Sequence, residues 1–373
     1  RLIAVSTLMI LFNAPFTKIF QTIIRTRPIM KFGTWVFPVS ESSDLDGQVI
    51  DNTLEEIVLC DRLGYEAVWL SEHHFDGAVA YADPVSFASS ITQVTNNIKI
   101  GFAVVEMALH HPVRLAAQTA LIDNLSKGRL MVGTGKGSAF NQYEYKGFGV
   151  DMSDSEGLLE ESEQILIQAW TGEPVTFKGN HWNLSFPGLR PLPFQKPHPP
   201  LFRACLGMDS TKAMARIGRP VLIASQENRS IESRLSAFTE EISKIGLSES
   251  KALHITQQIW VTKNLVIAED GDRARDIAWQ GYERDQTLVN NARNNYNSKE
   301  FWEHVNTTTN LEEKFEDSFI VGTPREVEEQ IAELHDIGVQ NLMLKMNTGN
   351  MPQEDVLNSI SLFSQKIAPR FID

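Results

Sequence analysis

The sequence predicts an α/β fold, a TIM (β/α)8 barrel built as a single domain with insertions. Two observations carry this. Strand-like and helix-like segments alternate along nearly the whole chain, and eight strand-like runs stand in that alternation. Many of the helix-like segments also carry their own start and stop signals. A doubly wound parallel sheet is the alternative that alternation alone leaves open.

The elements follow in order. "KFGTWVF" (31–37) opens as a strand. Residues 50–64 have helical spacing, with Leu54, Ile57, Val58 and Leu63 along one stripe before a glycine stop. "EAVWLS" (66–71) is the second strand. Residues 83–95 begin with Asp at the cap and Pro at the first helical position. "IKIGFAVV" (98–105) is the third strand. Residues 111–128 repeat the cap-then-Pro start and end in Gly, and "RLMVGTG" (129–135) is the fourth strand. A helix over 155–170 follows. The remaining strands are 200–205, 220–225, 254–268 and 341–346, with helices near 209–217, 230–245, 324–337 and 353–366. Two stretches break the rhythm. Residues 172–199 are proline-rich and read as an excursion with short hairpins. Residues 285–320 are polar and Asn-rich, and read as an irregular segment, either a lid or disordered.

Composition narrows the class of function. The 373 residues are 42% hydrophobic and 22% charged, with a net charge of −13. That is ordinary globular composition. The acidic balance argues against nucleic acid or an anionic membrane as partner. Two cysteines, Cys60 and Cys205, cannot form a disulfide framework or a zinc cluster, and a cytoplasmic setting fits. Residues 1–29 differ from the rest, with four basic residues and no acidic one. A signal peptide is one reading. The favoured one is a dispensable extension ahead of a domain spanning 30–373. Its apolar run is short of the ~20 residues of a membrane span.

Barrel enzymes place their chemistry at the C-terminal ends of the strands. The second strand there delivers "EHH", Glu72, His73 and His74. Neighbours on an extended chain point to opposite sides, so only one histidine faces the barrel mouth. This argues against both binding one metal, and no metal site is expected. A single inward histidine suits general acid–base chemistry near neutral pH, and a hydrogen-bonded structural histidine is the bland reading. The third strand delivers Ala103, Val104 and Glu106. The fourth delivers "GTGKG", with Gly135, Lys136 and Gly137. Glycines let backbone N–H groups approach an anion and the lysine adds charge, although a tight turn explains the same residues. The fifth delivers Gly207 and Ser210 at a helix start, either a plain cap or half of a phosphate site. The sixth delivers Ser225.

These residues carry a resemblance. "MKFGTWVF", "GYEAVWLSEHHF", "HPVRLAAQTALIDNLSKGRLMVGTGKG", "DSTKAMARIGRP" and "FIVGTPREVEEQI" resemble the luciferase-like flavin monooxygenases, from about Met30 to Ile372. The resemblance implies a TIM barrel that receives reduced FMN (FMNH2) from a separate flavin reductase. Oxygen then adds to form a flavin C4a-hydroperoxide, which inserts one oxygen atom into a small organic substrate. It implies that His73 is the catalytic histidine, and Glu72 beside it is expected as a local hydrogen-bond partner at the cofactor site. Lys136, Ser210 and Gly207 would hold the FMN phosphate beside Gly135 and Gly137. Ala103–Val104 would be a non-prolyl cis peptide against the flavin ring. His74 would turn toward the interface of a homodimer. There are departures. Ala117 stands where relatives carry a carboxylate, Gly135 where luciferase has a reactive thiol, and Ser225 where it has a tryptophan. Light emission is therefore not implied. Two other readings remain: a deazaflavin-dependent hydride-transfer enzyme of the same superfamily, and a non-catalytic flavin-binding protein.

Overall fold

A computed structural model describes residues 29–298 and 310–372. Eight parallel strands close on themselves: β1 (Lys31–Val36), β2 (Ala67–Leu70), β3 (Lys99–Phe102), β5 (Leu130–Gly135), β8 (Leu201–Cys205), β9 (Val221–Ile223), β10 (Trp260–Ile267) and β12 (Asn341–Lys345). β12 pairs back onto β1 through Lys31–Asn341 to Thr34–Leu344, which completes the barrel. The TIM-barrel expectation holds, and all eight foreseen strands are in it.

Alternation along each strand sorts the core into two regions. Ala67 and Trp69 of β2 point inward with Met131, Phe202, Leu222, Trp260 and Met343, filling the barrel. Val68 and Leu70 point outward into the larger core under the helices. The Trp69 ring meets Phe202 and Trp260 edge-on, both at 5.4 Å between centroids. Period-two placement of this kind is what the strand pattern demands.

Among the described residues the first three helices are α1 (Asp46–Arg62), α2 (Pro84–Val94) and α3 (Pro112–Leu125). α2 starts as its sequence requires, with Asp83 accepting the N–H groups of Val85 and Ser86 at 2.9 and 3.1 Å. Next come α4 (Gln142–Phe148), α5 (Ser155–Ala169), α6 (Met208–Arg216), α7 (Asn228–Ile242) and α8 (Glu249–Thr256). α9 (Gly271–Tyr296), α10 (Leu311–Ser318), α11 (Pro324–Asp336) and α12 (Gln353–Lys366) complete the set. The proline-rich excursion carries the expected hairpin, β6 (Val175–Lys178) with β7 (Asn183–Phe186).

Three departures from the sequence reading stand out. The third strand stops at Phe102 and resumes as β4 (Val105–Glu106), with the Ala103–Val104 cis peptide between them. Residues 254–256, read as the start of a strand, instead end a helix, Glu249–Thr256. Ser248 caps it by accepting the Lys251 N–H at 3.3 Å, and Ala252 and Thr256 bury one face. The polar stretch 285–320 is not an irregular lid where it is described. Residues up to 296 continue α9, and α10 then leads into a ninth parallel strand, β11 (Phe319–Gly322), beside β10. Residues 299–309 lie outside the described residues. So does the expectation for the N-terminal extension, save its last residue. The packed domain takes in Met30, which is buried and donates its N–H to the Phe371 carbonyl at 2.9 Å. Among the described residues no helix is long and apolar enough to cross a membrane.

Candidate active site

A cavity of about 980 Å³ opens at the C-terminal ends of the barrel strands. His73 and the Ala103–Val104 cis peptide lie on its wall, with Trp35, Phe37 and Met343. α9 runs across it and contributes Tyr282, Asp285, Gln286, Val289 and Arg293. Ser225 also lines it. The lining includes a buried ion pair, with Lys345 Nζ 2.7 Å from Asp285 and 4.6 Å from the centre of the Phe37 ring.

The extended segment after β2 separates the two histidines as the sequence requires. His73 faces the cavity with its ring edge-on to Phe37 at 5.0 Å. Its Nδ1 is 3.1 Å from Asn141 Nδ2. The Asn141 amide is oriented by a second contact, since Arg293 Nε donates to Asn141 Oδ1 at 3.0 Å. Arginine can only donate, so Oδ1 faces Arg293 and the amide N–H faces His73. The neutral ring therefore accepts at Nδ1 and carries its proton on Nε2, the nitrogen left for the cavity.

Glu72 sits elsewhere than expected. It is buried outside the cavity lining, and its partners are His74 and His110 rather than His73. Both rings place Nε2 at 2.7 Å from Glu72 Oε1, while the Glu106 N–H donates to Oε2 at 2.8 Å. The reason is strand alternation, which puts residues 72 and 74 on one side and 73 on the other. Burial pushes the Glu72 carboxyl up, but hydrogen bonds from His110 and His74 outweigh it and bring it down to about 2. Burial likewise opposes charge on His110, and Glu72 reverses that and raises it. His74 packs against Phe148 at 4.8 Å between ring centres.

The glycines of "GTGKG" are set by close approach. A Cβ on Gly135 would fall 2.7 Å from Val104 Cγ2. Gly137 has φ of +90°, and a Cβ there would fall 2.6 Å from Tyr145 Oη. Only glycine tolerates both conditions at the second position. Lys136 is not in the cavity lining. It is exposed and ion-paired with Glu156 at 2.7 Å.

Gly207 and Ser210 form the open start of α6. The Gly207 N–H donates to Ser210 Oγ at 3.3 Å, and nothing lies within 4 Å of where a Gly207 Cβ would be. A side pocket of about 360 Å³ lies here and shares Leu206, Gln226 and Glu227 with the main cavity. Arg229, Ser230, Ser233 and Arg234 also line it. Arg234 is buried, and its guanidinium donates to the Cys205 carbonyl and to Thr211 Oγ1. Among the described residues it pairs with no carboxylate.

The sequence reading missed Asn141, Glu144, Arg293, Arg234 and the Lys345–Asp285 pair. None sits in a short motif. The one local signal was Glu144 between Tyr143 and Tyr145, a carboxylate in an aromatic setting.

The family model described as luciferase-like monooxygenase matches residues 30–341. The chain belongs to this family. The luciferase-like chain is 35% identical to limonene 1,2-monooxygenase of Rhodococcus erythropolis over 147 residues, 39% of this chain and 38% of that one. It is 25% identical to the oxygenase component of a flavin-dependent trigonelline monooxygenase of Acinetobacter baylyi, over 56% of this chain and 59% of that one. Among solved structures, monooxygenase RslO1 of Streptomyces bottropensis superposes with a TM-score of 0.78 at 27% identity, covering 92% of this chain and all of that one. Two more share the fold at 18% identity. One is the oxygenating constituent of 3,6-diketocamphane monooxygenase of Pseudomonas putida in complex with FMN, at a TM-score of 0.76 over 92% and 99% of the two chains. The other is an F420-dependent secondary alcohol dehydrogenase, at 0.71 over 93% and 100%. The chain is an enzyme of the luciferase-like monooxygenase family.

Proposed function

We propose that this enzyme takes reduced FMN from a separate flavin reductase and inserts one atom of dioxygen into a small, largely apolar organic substrate. One observation carries the reading: His73, with its Nε2–H free for the cavity, shares a wall with the Ala103–Val104 turn. The trigonelline enzyme's name, an oxygenase component, supports a two-component arrangement.

The residues fit FMN. The cavity is at the upper end of the ~300–1,000 Å³ typical of small-molecule sites. A flat ring needs an apolar slot, and Ala103, Val104, Leu222 and Met343 supply one. A phosphate needs N–H groups and positive charge, and the side pocket joins the start of α6 to the buried, uncompensated Arg234. Gly207 and Ser210 would hold the phosphate there. Lys136 would join them by leaving Glu156, and an exposed ion pair of that kind holds by only ~0–1 kcal/mol. Bound reduced FMN would supply the electrons with which dioxygen is split, one oxygen atom entering the substrate and the other leaving as water. His73 would orient toward the reacting oxygen and donate the proton on Nε2. α9 and the aromatic wall would exclude water.

The enzyme would act as a homodimer. Val94, Leu121, Leu125 and Phe194 are exposed apolar side chains on or beside α2 and α3, and a two-fold contact would bury them.

The test supplies reduced FMN and labelled dioxygen with a panel of terpenes, cyclic ketones and aromatic heterocycles. One labelled oxygen atom should appear in a product, and His73→Ala should lower its yield by ~100-fold or more. Substrate oxidation without label would replace oxygen insertion by hydride transfer.

A further inference from the structure

Behind His73 lie two carboxyl groups that the proposed reaction does not yet use. Glu106 ends β4 and Glu144 lies on α4, and both are buried. One polar atom of each lies within 4.8 Å of the other's and of a ring nitrogen of His73. Glu144 Oε1 accepts the His74 N–H at 2.8 Å and stands 3.5 Å from His73 Nδ1. The second oxygen of each carboxyl, Oε2, is buried without a hydrogen-bond partner. Among the described residues, no lysine or arginine forms an ion pair with either carboxyl.

Two buried carboxylates this close, without a counter-charge, do not both ionise. The third carboxyl nearby is already compensated, since Glu72 holds two histidines. Its charge acts on Glu106 from the other side. Burial, then the charges of Glu144 and Glu72, hold the Glu106 carboxyl well above the usual carboxylate range. The titratable groups packed around the two are Glu72, His73 and His74 from the end of β2, and Tyr143 and Tyr145 from α4. His110 and Arg293 stand one contact further out.

We propose that Glu106 and Glu144 share one proton, and that this acid pair resupplies Nδ1 of His73 as Nε2 gives its own proton to the substrate oxygen. The proposal rests on the reading of His73 as a proton donor. As one proton leaves the ring at Nε2 one enters at Nδ1, which keeps the ring neutral. The doubly ionised pair is a costly transient, and it takes its proton back from Nδ1 as solvent reprotonates Nε2, which restores the resting tautomer. Glu106 and Glu144 are positioning residues, because neither lines the cavity. Asn141 holds the resting tautomer, and Glu144 is the second neighbour of the same nitrogen.

The pair is testable on the full-length chain without flavin, so the result does not depend on which cofactor the enzyme uses. Difference infrared spectra of wild type against Glu106→Gln and against Glu144→Gln at neutral pH should each show loss of one protonated-carboxyl stretch. Glu56, whose buried carboxyl is pushed up to about 7, cancels in such differences. The NMR titration of the His73 ring should show two steps in wild type, because the ring and pair titrate as a coupled set. It should show one step in Glu106→Gln. A merely structural role would leave the shape of that curve alone. If the variants do not fold, the wild-type curve decides, and a single step overturns the proposal. So would unchanged infrared spectra, or a stoichiometric divalent cation in the purified chain that is lost in Glu106→Gln.

Discussion

The amide of Asn141 stands 3.1 Å from Nδ1 of His73 and presents its N–H to it, because Arg293 occupies the amide oxygen. A residue outside every sequence motif thus sets which nitrogen of the cavity histidine carries the proton.

Asn141→Asp replaces that donor by an acceptor. The ring should then carry its proton on Nδ1, visible as a changed tautomer in nitrogen NMR of the imidazole. Product formation should fall by ~100-fold, the lower end of the range for a general acid.

Glu72 gives the fold a defined pH dependence. Its folded carboxyl titrates at about 2 against an ordinary 4.5, so its contribution is present above 4.5 and is lost as pH falls toward 2. His110 is raised above 6.5, so its contribution is full below 6.5 and is lost as pH rises through its folded value. Glu72→Gln should therefore destabilise most between pH 4.5 and 6.5, by ~3–5 kcal/mol for a broken buried pair. Urea denaturation across pH checks this. A loss that is the same at pH 5 and pH 9 would remove His110 from the account.

The phosphate assignment separates two cations. Arg234→Met should weaken reduced FMN binding by about tenfold or more, a charge-assisted contact being worth ~1.5–3 kcal/mol. Lys136→Ala should weaken it less, since that lysine must first leave Glu156. Riboflavin binding should change little in either variant. Equal losses for FMN and riboflavin would place the phosphate elsewhere.

The apolar face near α3 gives a fourth expectation. Leu121→Glu with Leu125→Glu should convert a sedimenting dimer to monomer without unfolding it. A monomer in the unaltered chain would count against the homodimer.

Most of the frame was legible in the sequence because it rests on local patterns. Strand runs with period-two burial, cap-then-proline starts and glycine stops located the eight barrel strands and most helices. The opposite facing of His73 and His74 followed from adjacency alone. The Ala103–Val104 turn was reached only through the family resemblance. The misreadings share one cause, which is long-range contact. Glu72 was paired with the wrong histidine because His110, 38 residues on, was invisible as a partner. Asn141, Glu144 and Arg293 reach the site from helices whose polar residues look like solvated surface. The 285–296 stretch looked irregular because its apolar face is sparse. That face is sparse because it covers a cavity rather than a packed core.

The central claim is that this barrel is built for reduced FMN. Anaerobic titration of the full-length chain with reduced FMN and, separately, with the reduced deazaflavin F420 tests it most directly. The account predicts that FMN binds at least about tenfold more tightly, a difference of ~1.4 kcal/mol or more. Tighter binding of the deazaflavin would contradict it and make the enzyme a hydride-transfer member of the family.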